Sequence, residues 1–211
     1  MDGILGIYSR HIFPRLCDWS MRNPRNEGLR KETLSEASGE ILEIGFGTGL
    51  NLEYYPEHVR HLTAVDPGEG MARIARRRIE RSVIDVELRV QTAEDLPFED
   101  GKFDCVVSTW TLCSIRGARR AVAEISRVLK PGGRFLYLEH GLSEEPGVQR
   151  WQRCLTPLQK RIAGGCRLDV DIGALVRSGA FRDVGVERFL LDRTSRIVGS
   201  MYRGVAVRRN P

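Results

Sequence analysis

At 211 residues the chain suits a single domain with a proper buried core, and its 41% hydrophobic and 29% charged residues are ordinary for a globular protein. The net charge of +5 invites an anionic partner, but the densest basic run (Arg73, Arg76, Arg77, Arg78, Arg81) interleaves with Met71, Ile74, Ala75 and Ile79 at helical spacing and reads as a solvated helix face. Few aromatics accompany that charge, so no nucleic acid is predicted as a partner. Five scattered cysteines without a C-x-x-C pair support neither a disulfide framework nor a zinc site, and no metal is expected. No apolar stretch is long enough to span a bilayer and no signal-peptide pattern opens the chain, so a cytoplasmic protein is expected.

In chain order, apolar residues at near-helical spacing predict an amphipathic helix over 4–20, cut by Pro14, and a second helix over 27–38 that ends near Gly39. Strands and helices then alternate. Strand one is 40–44, with a helix over 50–55 stopped at Pro56; strand two is 61–65, with a helix over 70–81. Strand three is 86–90, strand four 103–108, followed by a helix over 118–129, and strand five is 134–138 after the turn Pro131-Gly132-Gly133. Such alternation implies βαβ units on a parallel sheet. Helices over 147–163 and 171–178 follow, then strands 184–191 and 201–208 as an antiparallel pair at the sheet edge. One domain is expected over 1–211: a helical cap (1–38), a ligand-binding core (39–140), a lid or substrate segment (141–180) and a strand pair (181–211).

Strand one runs into Gly45-Phe46-Gly47-Thr48-Gly49, three glycines at alternate positions that let the backbone turn sharply and a ligand approach it. Glu43 would face that ligand as a fixed negative charge, repelling a phosphate and favouring an ammonium and a sulfonium; the contrast points to S-adenosylmethionine (SAM). The dinucleotide fingerprint G-x-G-x-x-G would need glycine at position 50, where Leu50 stands. Asp66, directly after strand two, is placed to accept from two ribose hydroxyls, with Pro67 and Met71 assigned to the same pocket; Asp-Pro-Gly is also good turn chemistry. Thr92, Ala93 and Glu94 follow strand three and would read the adenine edge, although Thr92 and Asp95 also have part of a capping-box spacing.

Ligands of open α/β sheets bind outside the carboxyl ends of the strands, where strand order reverses. Thr109 and Cys113 would therefore face the methionine half of the donor; as a thiolate Cys113 has no basic neighbour in sequence and reads as a small packing residue. His140, after strand five, has the pKa range for removing a proton near neutral pH, and a lone histidine at a strand end is as often structural.

Together, E-I-G-F-G-T-G (43–49), Asp66, A-E-D-L-P-F (93–98), D-C-V-V-S (104–108) and L-K-P-G-G (129–133) resemble class I SAM-dependent methyltransferases across roughly residues 35–140. The resemblance implies a Rossmann-like, doubly wound α/β sheet of seven strands, parallel with an antiparallel C-terminal hairpin, and helices on both faces. N-L-E-Y-Y-P (51–56), Asp66-Pro67, T-L-C-S-I (111–115), Glu139-His140, Trp151-Gln152 and G-C-R-L (165–168) look like the thiol S-methyltransferases of the methyltransferase-like family. The membrane-anchoring N-terminal segment typical of the animal members is not seen in this sequence. Phe46 stands where cysteine is frequent, and Thr92 where many members carry an adenine-binding Asp, so that Glu94 or backbone groups must compensate.

The expected chemistry is in-line attack of a small acceptor, a thiol, on the sulfonium methyl group of SAM, leaving S-adenosylhomocysteine, with His140 and Arg167 as catalytic candidates. Other acceptors weighed are a phospholipid amine, a quinone or a natural product. A lipid acceptor would fit the basic charge and apolar N-terminal helix, though no membrane partner is predicted. A SAM-binding module without transferase activity is the alternative of another class. The sequence leaves the acceptor and the oligomeric state open.

Overall fold

The computed structural model describes residues 4–210. A mixed sheet carries the order β3-β2-β1-β4-β5-β8-β6, with β1 Ile41–Ile44, β2 His61–Val65, β3 Asp85–Arg89, β4 Phe103–Thr109 and β5 Leu129–His140 parallel. The last strand, β8 (Ser200–Arg208), runs antiparallel beside β5. β6 (Phe181–Val184) and β7 (Glu187–Leu190) lie end to end along its far side, opposite Arg208–Ala206 and Arg203–Ser200 respectively. The eight strands thus occupy seven positions, and the C-terminal strands are antiparallel as expected. The predicted 184–191 strand begins earlier and is interrupted at Gly185, whose carbonyl accepts the Tyr137 hydroxyl at 2.5 Å.

Every residue of β1 is buried, because helices cover both faces of the central sheet. Alternation along the strands then decides which residues share a face. Leu42, Ile44, Val106, Phe135 and Tyr137 join the core under α5 (Ala118–Val128) and α7 (Ile172–Arg177). Ile41, Cys105, Val107 and Leu136 join the core under α3 (Pro24–Leu34) and α4 (Glu69–Ile79), which puts Glu43 on that second face.

Four segments differ from expectation. Residues 50–55 form only a single 3-10 turn, Leu50–Glu53, because the short run between Gly49 in the left-handed region and the stop at Pro56 leaves little room for an α-helix to propagate. The N-terminal segment is α1 (Ile4–Ile7), a π-turn (Tyr8–Ile12) and α2 (Phe13–Met21), so the break precedes Pro14. Pro14 has no N–H and its ring conflicts with the carbonyl of Arg10; the wider turn accommodates this, and that carbonyl lies against Gly70, where a Cβ would not fit. α3 starts at Pro24, capped by Asn23, whose Oδ1 accepts from the Asn26 amide at 3.0 Å, and ends at Leu34. The expected lid divides: α6 (Pro146–Ile162) buries only Gln152 and Thr156, whereas Ile172, Leu175 and Val176 of α7 are core.

Candidate active site at the carboxyl ends of the strands

The three glycines after β1 all have positive φ, +69° at Gly45, +58° at Gly47 and +79° at Gly49, yet each serves a different need. A Cβ on Gly45 would collide with the Thr111 side chain, and one on Gly49 would press on the Phe46 ring at 3.2 Å. A Cβ on Gly47 would meet nothing closer than 3.8 Å, so position 47 opens onto free space where a ligand can lie against the backbone.

Glu43 is buried beneath this loop. Its Oε1 accepts from Asn51 Nδ2 at 2.8 Å and its Oε2 from the Tyr55 hydroxyl at 2.7 Å. Burial pushes its pKa up to about 7, against the opposing effect of those hydrogen bonds and of Arg30. The same Asn51 amide donates to Thr109 Oγ1 at 3.0 Å, and Asn51 Oδ1 accepts from Arg30 Nη1 at 2.6 Å. Glu43 is therefore the centre of a buried polar network at the cavity wall rather than a free carboxylate. Arg30, a buried cation that the sequence did not single out, also stacks over Trp110 at 4.6 Å. Trp110 holds a φ of +49°, rare for a bulky residue, as the chain leaves β4.

Asp66 is buried at the end of β2, and burial raises its pKa. Its Oδ2 accepts from the Gly47 amide at 2.8 Å and its Oδ1 from the Gly68 amide at 2.7 Å, so the carboxylate ties the glycine loop to the turn after β2. Each oxygen keeps lone-pair capacity for a ligand hydroxyl. Thr92, Ala93 and Glu94 line the same cavity. Glu94 Oε1 is engaged by the Gly117 amide before α5 at 3.1 Å, and Thr92 and Asp95 form no side-chain cap, only a weak backbone contact at 3.5 Å.

One of the arginines read as a solvated face is not solvated. Arg78 bonds Asp18 of α2 at 2.8 Å and donates to the Thr48 carbonyl, while Thr48 Oγ1 donates to Asp18 at 2.6 Å. This triad clamps the N-terminal cap onto the glycine loop. Tyr8 adds a second tie, donating to the Ile162 carbonyl of α6 at 2.7 Å.

Between these elements lies a cavity of about 1310 Å³. Single small-molecule sites are commonly ~300–1,000 Å³, so this one has room for a donor and an acceptor together. Glu43, Gly45, Phe46, Gly47, Asp66, Pro67, Met71, Thr109, Cys113 and His140 line it, whereas Gly49 and Arg167 do not. Arg167 departs from its expected place because its guanidinium pairs with Asp169 at 3.3 Å; its contribution is the backbone amide, which donates to the Cys113 carbonyl at 2.9 Å.

The same wall carries the apolar side chains Phe13, Leu16, Ile115, Ile162, Val198 and Met201, and Cys113, His140 and Cys166 also line it. The Cys113 and Cys166 sulfurs are 3.7 Å apart, and His140 Nδ1 is 3.7 Å from Cys166 Sγ. The hydrogen bond with Cys113 and the nearby imidazole draw the Cys166 pKa down, while the same bond and burial keep the Cys113 proton on. His140 Nε2 is buried without a hydrogen-bond partner among the described residues, unlike a histidine kept only for packing. Cys113 thus has within 4.8 Å the histidine neighbour that its sequence context lacks, while its burial keeps it a packing residue as well. Beside it Glu139 is fully buried, accepting from Ser108 Oγ at 2.6 Å and the Thr111 amide at 2.8 Å, and burial lifts its pKa to about 7.

A glycine loop with one open position, an acid after β2 and a large cavity lined by both are the features of a class I SAM-dependent methyltransferase. Residues 42–137 match the family described as a methyltransferase domain. The thiol S-methyltransferase TMT1B of Rattus norvegicus is 35% identical over 152 residues, covering 70% of this chain and 62% of that protein. The human TMT1B is 32% identical over 185 residues, covering 79% of this chain and 72% of that protein. In fold, the chain is similar to the YcgJ protein of Bacillus subtilis, with a TM-score of 0.69 at 21% identity over 88% of this chain and 98% of that one. The chain belongs to the SAM-dependent methyltransferases, and it spans less than two thirds of the rat relative's length.

Proposed function

We propose that the protein methylates the sulfur of a small apolar thiol. The observation that carries this reading is the largely apolar cavity whose wall includes the adjoining His140, Cys113 and Cys166. The similarity to thiol S-methyltransferases supports it. SAM supplies an electrophilic methyl group whose transfer needs orientation and charge complementarity more than a strong base. Gly47 gives the donor's amino-acid end a backbone to lie against, Asp66 holds its ribose, and the Glu43 network supplies negative charge near its cationic groups. Backbone groups at 92–94 face the adenine edge. A free thiol has a pKa of about 8.5, so this polar part of the wall serves to favour its thiolate form.

The test is methyl transfer from labelled SAM to hydrogen sulfide, short alkyl thiols, a quinol and phosphatidylethanolamine vesicles. Thioether formation from alkyl thiols is the expected result. Transfer only to the vesicle amine or the quinol would replace the thiol by that acceptor, and tight SAM binding without transfer to any of them would mark a binding module.

A further inference from the structure

The cluster on the cavity wall has the composition and spacing of a metal site. Cys113, His140 and Cys166 present two sulfurs and an imidazole nitrogen within 4.8 Å of one another. Around a tetrahedral zinc ion, with bonds of about 2.3 Å to sulfur and 2.0–2.1 Å to nitrogen, neighbouring ligand atoms stand ~3.8 Å apart for two sulfurs and ~3.6 Å for sulfur and nitrogen. Two of the three edges have such a length, 3.7 Å between Cys113 and Cys166 and 3.7 Å between Cys166 and His140 Nδ1, and the third, from Cys113 to His140, lies within 4.8 Å.

The donors are held from outside the cluster. Cys113 is anchored by its carbonyl, which takes the Arg167 amide at 2.9 Å, and this links the two cysteine-bearing segments directly. Ser114 Oγ lies 3.7 Å from the Cys113 sulfur, an outer partner of the kind that orients metal-bound thiolates. Cys166 is fixed by its amide on the Ala163 carbonyl at 3.0 Å, and His140 by the pairing of β5 with β8 opposite Met201.

We infer that Cys113, His140 and Cys166 bind a zinc ion whose fourth position opens into the cavity. Two thiolates, a neutral imidazole and Zn²⁺ sum to zero charge, which suits a buried site. Soft sulfur with imidazole favours zinc over calcium or magnesium. Three protein ligands with one open position are the arrangement of catalytic rather than structural zinc.

The role of the open position rests on the thiol reading above. There an acceptor R–SH gives its proton to solvent and binds as thiolate. The sulfur's lone pair forms the new bond to the methyl carbon of SAM, the old carbon–sulfonium bond breaks, and its electron pair stays on the sulfur of S-adenosylhomocysteine. The product thioether is neutral and a weak ligand, so it leaves. Nothing is oxidised or reduced.

The test uses the full chain without a polyhistidine tag, reduced and gel-filtered, with zinc measured by mass spectrometry in the absence of SAM and acceptor. About one zinc per chain is expected, falling about tenfold or more in Cys113→Ser, Cys166→Ser and His140→Ala, and kept in Cys154→Ser, which alters an exposed cysteine. Should a variant fail to fold, cobalt replacement of the wild-type metal reads the site directly, giving tetrahedral d–d and thiolate charge-transfer bands that shift when an alkyl thiol is added. Wild-type protein that takes up neither metal, or that keeps its metal in all three variants, overturns the site. Metal present with no thiol methylated removes the thiol reading and leaves the site standing; full thiol methylation by chelator-treated, metal-free protein removes the catalytic role of the metal and leaves the thiol reading standing.

Discussion

Thr111 stands so close to Gly45 that no side chain fits at position 45, and its hydroxyl donates to the Gly45 carbonyl at 3.3 Å and the Thr109 carbonyl at 3.0 Å. The first glycine of the loop is thereby locked to the exit of β4. Glu139 completes the lock from β5 through the Thr111 amide.

Gly45→Ala should therefore destabilise the fold, by at least ~2 kcal/mol from a left-handed alanine and overpacking together. Urea unfolding of Gly45→Ala, Thr111→Ala and the double variant measures it, and the double variant should recover part of the loss. Gly47→Ala should cost only the backbone strain of ~1–2 kcal/mol yet weaken SAM binding about tenfold or more. Equal stability losses at 45 and 47 with unchanged SAM affinity would contradict the division of roles.

Asp66→Ala removes two backbone ties and the proposed ribose acceptor. SAM affinity measured by calorimetry should fall by about an order of magnitude or more, as hydrogen bonds to a charged group are worth about 1.5–3 kcal/mol. The apoprotein should also lose stability, because the Gly47 and Gly68 amides are left without their acceptor. Unchanged affinity would place the ribose elsewhere.

Glu43 ought to make both stability and SAM binding depend on pH. Its folded pKa, raised from 4.5 to about 7, means that the native carboxyl keeps a proton which the unfolded chain has already released across that window. Stability consequently falls as pH rises from 4.5 to 7 and levels off above. Thermal melts of wild type and Glu43→Gln should show the variant gaining relative stability across that rise. A cationic donor favours the carboxylate, so SAM affinity should increase over the same window with proton release, and the variant should lose that dependence.

Arg78→Met breaks the clamp between α2 and the glycine loop. The Asp18 carboxyl, which burial alone would raise, is held below its usual range by hydrogen bonds from Arg78 and Thr48. For a pair partly open to solvent the expected cost is about 1–3 kcal/mol. Asp18→Asn should act similarly, and the double variant should cost less than the sum. The Michaelis constant for acceptor should rise in both single variants, since α2 forms part of the cavity wall.

Local pattern carried much of this protein. The alternation of apolar runs with helical spacing fixes β1 to β4, α4, α5 and α6 within a few residues, because each element's periodicity is written in its own segment, whereas β5 begins at Leu129 and takes in the Pro131-Gly132-Gly133 turn expected to precede it. The placement of Glu43, the glycines and Asp66 was legible for the same reason: all lie at the carboxyl ends of adjacent parallel strands, and the fold places such ends together. Helix 50–55 and the full lid over 141–180 were misplaced because a short turn before a proline, and a helix buried against α5, depend on what packs beside them.

Sequence alone thus determined the parallel strands, the glycine turn after β1 and the membership in the methyltransferases. Tertiary structure decided what distance along the chain conceals. Arg78 became a clamp when α2 brought Asp18 to it, and Arg30 became a buried partner of Asn51 and Trp110. Cys113, His140 and Cys166, on three segments with no shared motif, came within reach of one another. A strand or glycine loop follows from neighbours in sequence; a cluster of side chains from distant segments exists only once β4, β5 and the chain after α6 have packed.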